Sequence, residues 1–165
     1  LTCAVLGSGK HAKEQYSLRT ECVAHINSLG HKPFMPEELN ANQISLILDS
    51  NGITGLRKEA LLHDKTMISD FMITESHLIF ILATGQGASI ELGKYSVYVP
   101  HKLRVFVSEK EYHPESQLAI EMKSLQDRSI DCLYTYSDKQ EFLRNVEKCL
   151  ESELRRHLRS QLNGR

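Results

Sequence analysis

The 165-residue chain is predicted to be a three-layer α/β/α domain on a sheet of about five mainly parallel strands. Two observations lead there. Short apolar runs alternate with amphipathic stretches along the whole chain, the order that places right-handed crossover helices between parallel strands. One of those runs, HLIFILA at residues 77–83, has no polar alternation, as a strand covered on both faces requires. The class is flavodoxin-like or Rossmann-like.

Each element has its own signal. TCAVL, residues 2–6, is the first strand and ends in Gly7-Ser8-Gly9-Lys10. A helix follows over 14–29, with Leu18, Cys22, Ile26 and Leu29 at three- or four-residue spacing and Gly30 as its stop. HKPFMP is a short extended segment, and 36–55 fits either a short helix or a mobile cover over a site. From Leu56 to Ser76 the pattern is helical in two pieces, leading into HLIFILA. A helix starts near Ser89 and runs to about Val97, and LRVFVSE at 103–109 is the next strand. Residues 114–127 form a helix with Pro114 in its first turn, and DCLYTYS is the last strand. A final helix from Asp138 carries Phe142, Val146, Leu150, Leu154 and Leu158 on one stripe.

These elements divide the chain into an α/β core at 1–138 and a C-terminal helix packed on it, with a basic tail, at 139–165. Composition narrows the function. A net charge of −1 gives no broad attraction to nucleic acid or membrane, and no apolar run approaches a bilayer span of about 20 residues. The four cysteines never pair as C-x-x-C and lie mostly in apolar patterns, which predicts buried thiols in a reducing, cytoplasmic setting. The eight histidines are dispersed, so neither a metal nor any other cofactor is expected.

Chemistry concentrates at two glycine-rich strand ends, GSGK after the first strand and TGQGAS after the third. Ligands of open α/β sheets collect at such carboxyl ends, and backbone N–H groups there suit anions such as phosphate. A single glycine-rich loop is most simply a tight turn; two at corresponding ends favour a ligand. Neither completes a nucleotide signature. GSGKHA lacks the earlier glycine of a Walker A loop and has His11 where Ser/Thr would hold magnesium. G-x-G-x-x-G fails at Ala12 in one loop and at Ile90 in the other. An ATPase and an NAD-dependent dehydrogenase are both disfavoured, while Ser8 and Lys10 remain able to hold a phosphate.

Glu91 follows the second loop, and the expectation is a carboxylate in or just before the first helical turn, kept ionised by the positive helix end. Acids are common in first turns for capping alone. At a strand end, however, such a carboxylate also suits attack on, or shielding of, an oxocarbenium-like sugar carbon. Asp70 and Asp64 are candidates for a second carboxylate.

CAVLGSGK, SDFMITESHLIFIL and GASIELGKY, in this order, resemble the nucleoside 2-deoxyribosyltransferase family, nearest its deoxynucleoside 5′-monophosphate N-hydrolase branch. The likeness covers residues 2–98. It implies cleavage of an N-glycosidic bond by hydrolysis or base exchange, with Glu91 acting on the anomeric carbon and Asp70 assisting at the sugar or base. It implies a substrate-binding set of Gly7, Ser8, Gly9, Lys10, Gly85, Gly87 and Ser89, with Lys10 as counterpart of the family's basic residue. The partner would be a nucleotide or nucleoside, and a homodimer is compatible with such a small site. TIR domains are more distant relatives, and S-x-E-L at 89–92 also fits a TIR-like NAD glycohydrolase. A catalytically silent nucleotide-binding sensor, with the basic tail as relay, is the reading from another class.

Overall fold

The computed structural model describes residues 1–8, 12–83, 86–127 and 132–163, without the side chains of residues 50, 86, 87, 89, 117, 118 and 163. Five strands form one all-parallel sheet: β1 (Thr2–Gly7), β2 (Lys32–Phe34), β3 (Leu78–Leu82), β4 (Leu103–Ser108) and β5 (Leu133–Tyr136). Their spatial order is β2-β1-β3-β4-β5, the flavodoxin-like winding anticipated above. Gly7 pairs with Leu82, so β1 and β3 end side by side where the winding reverses.

The sheet is covered on both faces. On one, α1 (Lys13–Ser28) and α7 (Lys139–Asn163) bring Cys22, Ile26, Phe142 and Val146 onto Val5, Phe80 and Phe106. On the other, α4 (Lys65–Glu75), α5 (Gln86–Tyr98) and α6 (Gln117–Asp127) bring Ile73, Leu92 and Met122 onto Leu6, Ile81 and Val105. All five β3 residues are buried, which is why their sequence shows no alternation. All four cysteines are buried free thiols.

Residues 36–55 resolve the open choice of the sequence. A 3-10 turn, Pro36–Glu38, leads into α2 (Ala41–Ser50), and α3 begins at Gly55 and runs to His63. A capping box starts α2: Asn40 Oδ1 accepts from the Gln43 amide at 2.9 Å, and Gln43 Oε1 accepts from the Asn40 amide at 3.0 Å. α2, α3 and α4 share a small core of their own, Leu48, Ile53, Leu61 and Ile68. Asp64 separates α3 from α4 and caps the latter, accepting from the Thr66 and Met67 amides at 3.0 Å. That use makes Asp64 a structural residue.

Two helix starts and one apolar stripe differ from the sequence reading. α5 starts at Gln86, about one turn earlier than the sequence suggested. α6 starts at Gln117, because Pro114 lies in a preceding turn and Ser116 Oγ accepts from the Ala119 amide at 3.2 Å. The stripe of α7 turns outward after Leu150: Leu154 and Leu158 are exposed, while Glu153 is buried and accepts from Arg156 at 2.7 Å. Among the described residues no helix is long and apolar enough to cross a membrane.

Candidate active site

The site grows from the paired ends of β1 and β3. Gly7 has φ +142°, and a Cβ there would stand 2.8 Å from the Leu82 carbonyl oxygen and 3.3 Å from Arg19 Cδ. Only glycine fits both the backbone and the space. The space is taken by Arg19 from α1, a buried arginine. Its guanidinium donates to the carbonyls of Val5 at 2.8 Å, Ser8 at 3.1 Å and Gly7 at 3.2 Å, holding the end of β1. The same group pairs with Glu37 Oε1 at 2.6 Å.

Glu91 on α5 feels the charges of this cluster. The earlier start of the helix puts it in the second turn, so the expected first-turn carboxylate, held ionised by the helix end, is corrected. Burial governs instead: it pushes the Glu91 carboxyl up to about 7, against the pull of the Arg19 guanidinium and with a smaller push from Glu37. Glu91 Oε2 is shielded from solvent and has no hydrogen-bond partner among the described residues. A desolvated, unsatisfied carboxylate oxygen at a strand end is costly to keep, and such groups cluster at sites that act on ligands.

Asp70 is held by two residues of α5. Its Oδ1 accepts from Tyr95 OH at 2.9 Å and its Oδ2 pairs with Lys94. Lys94 Nζ also stands 5.7 Å from the Tyr95 ring centroid. Burial and then the Asp70 hydrogen bond raise the Tyr95 phenol, and the Glu91 charge adds to it. Both Asp70 oxygens are therefore engaged, and Tyr95, one turn beyond Glu91 on α5, bonds one acid and feels the charge of the other.

Two hollows lie nearby, one with Asp70 in its wall and one with Glu37. One of about 510 Å³ is lined by Arg57, Asp70, Phe71, Lys94 and Tyr98. The other, about 570 Å³, lies between the Pro36–Asn40 segment, α2, the end of α3 and α4, and Glu37 is part of its wall. Glu37 joins this second hollow to Arg19, and both of them act on Glu91.

Of the other residues singled out, Gly7 and Ser8 hold the β1 end through their carbonyls, and Gly87 lies in the first turn of α5. Gly9, Lys10 and Gly85 lie outside the described residues, as does the side chain of Ser89. Among the described residues no group of three or more His, Cys, Asp or Glu is placed to hold a metal ion. Sequence reasoning missed Arg19, Glu37 and Tyr95. Arg19 had a usable signal, since the residues buried on α1 are Arg19, Cys22 and Ile26, one stripe containing a charge. In comparisons with family models, curated proteins and solved structures, nothing matches this chain significantly.

Proposed function

We propose that the chain cleaves the N-glycosidic bond of a nucleotide or nucleoside, by hydrolysis or base exchange, with Glu91 as the catalytic carboxylate. The observation that carries the reading is the Glu91 side chain at the switch point of the sheet, with one oxygen shielded and unpartnered and Arg19 nearby. The resemblance of GSGK and GASIELGKY to the deoxyribosyltransferase motifs supports it from sequence.

The chemistry follows from charge. As the bond from C1′ to the base nitrogen breaks, its electron pair leaves with the base, which takes up a proton, and C1′ becomes oxocarbenium-like. A desolvated carboxylate stabilises that positive carbon far better than a hydrated one, or attacks it to form a glycosyl intermediate. Water then completes hydrolysis, or a second base completes exchange. Arg19 favours the ionised form that this role needs. Gly7 and Ser8 would lie by the substrate's phosphate or sugar, as the resemblance implies also for Gly9 and Lys10. Asp70, engaged by Lys94 and Tyr95, would act as a positioning residue that fixes α5.

Chromatographic detection of free base tests the reading. Deoxynucleoside monophosphates, nucleosides and NAD would be incubated separately with the protein and with Glu91→Gln. Base released from a deoxynucleotide or nucleoside, and lost in the variant, supports it. Nicotinamide from NAD alone transfers the glutamate to a TIR-like NAD glycohydrolase. Binding without release from any of them leaves a sensor.

A further inference from the structure

We propose that the hollow between the Pro36–Asn40 segment, α2 and α4 receives the substrate's base, and that Glu37 accepts a hydrogen bond from an exocyclic amino group on it. The inference rests on the glycosidase reading and adds the substrate class: bases that carry an amine.

Three observations lead to it. The volume, about 570 Å³, is in the range of small-molecule sites, and Ile44, Leu62, Ile68 and Met72 give it apolar walls of the kind a flat heterocycle displaces water from. Part of its wall comes from the carboxyl end of the sheet: Pro36–Glu38 follows β2, and Lys65 and Ile68 belong to the first turn of α4. Its wall includes Glu37, the acid that pairs with Arg19 and acts on Glu91. Through Glu37 and Arg19, a base seated there is connected to the charge environment of Glu91.

Hydrogen-bond character then selects among bases. Glu37 spends Oε1 on Arg19, and a carboxylate offers a second acceptor oxygen. An acceptor favours an amino edge, as on adenine or cytosine, and repels the oxo group that replaces it in hypoxanthine or uracil. Glu37 is close to half exposed, so its discrimination belongs at the low end for a charged hydrogen bond, about tenfold.

The chain has no tryptophan, so one placed in the wall is a unique reporter. Ile44→Trp, and separately Leu62→Trp on the α3 side, would be made in the Glu91→Gln background to prevent turnover. 2′-Deoxyadenosine and 2′-deoxyinosine 5′-monophosphates would be titrated while fluorescence is read, with thermal unfolding as the folding check. Quenching in at least one variant, about tenfold tighter for the amino-bearing nucleotide and levelled by adding Glu37→Gln, is the expected result. Quenching equal for both nucleotides overturns the role of Glu37. No quenching in either folded variant, while the wild-type protein releases base, overturns the placement and leaves the glycosidase reading intact. Selective quenching without base release by the wild-type protein keeps the placement and overturns the glycosidase reading; absence of both overturns the two together.

Discussion

Tyr95 donates a 2.9 Å hydrogen bond to Asp70 Oδ1 while standing one helical turn from Glu91 on α5. The phenol ties α4 to α5 and responds to both carboxylates, each of which raises it beyond the effect of burial. Two acids more than twenty residues apart in sequence thus act on one side chain, the last residue of GASIELGKY, which the motif reading gave no role.

Tyr95→Phe removes that tie and keeps the ring. Asp70 retains Lys94, so the expected loss is about 1 kcal/mol, one hydrogen bond at a partly exposed carboxylate. Urea unfolding reads it as a lower midpoint at unchanged slope. An unchanged midpoint would mean that the bond contributes nothing net.

Glu91 makes stability depend on pH in a stated direction. Its carboxyl ionises near 4.5 in an unfolded chain and near 7 in the fold. Below about pH 4.5 both states hold the proton and the group has no effect. Between about 4.5 and 7 the unfolded chain releases its proton while the fold retains it, so stability falls as pH rises. Above 7 the whole penalty stands, up to about 3 kcal/mol. Glu91→Gln escapes it, so the variant should gain on the wild type between about pH 5 and pH 8. A constant difference across that window would show that the side chain ionises normally.

Arg19 holds three carbonyls and an acid from a buried position, and Arg19→Met leaves all of them without it. The expected cost is about 3 kcal/mol, with Arg19→Lys between it and the wild type because an ammonium cannot reproduce the fork. Loss of the guanidinium should also move the Glu91 titration upward, which carbon-detected NMR of the glutamate carboxyls would follow.

Gly7→Ala meets the Leu82 carbonyl at 2.8 Å in a backbone region that L residues rarely adopt. The strain alone is about 1–3 kcal/mol, and the β1–β3 register at Gly7 and Leu82 should loosen with it. Hydrogen exchange at the end of β3 tests this: protection there should fall more than at Ile79.

The sheet was legible because burial leaves its mark on composition: LIFIL, short, β-branched and without alternation, fits a strand covered on both faces. The place of Glu91 after a glycine-rich loop was legible, but its electrostatics were not. The start of α5 falls among small and polar residues that carry no periodicity, and a one-turn error there exchanged a helix-end carboxylate for a buried one. Arg19 was hidden by its own helix. Leu18 and Leu29 suggested one phase, yet Leu29 is exposed and the buried phase runs through the arginine. Glu37 could not have been found, because its partner lies across the fold and a glutamate after a proline has no distinguishing pattern.

The central claim is that Glu91 acts on the sugar carbon, and kcat/KM for base release is its most direct measure. It would be determined for the wild-type protein and Glu91→Gln on the same deoxynucleotide, with binding measured alongside. A drop of about a thousandfold or more at similar affinity is the result expected of a lost catalytic carboxylate. Base release by the variant within a few-fold of the wild type would contradict the claim and return Glu91 to the buried frame of the fold.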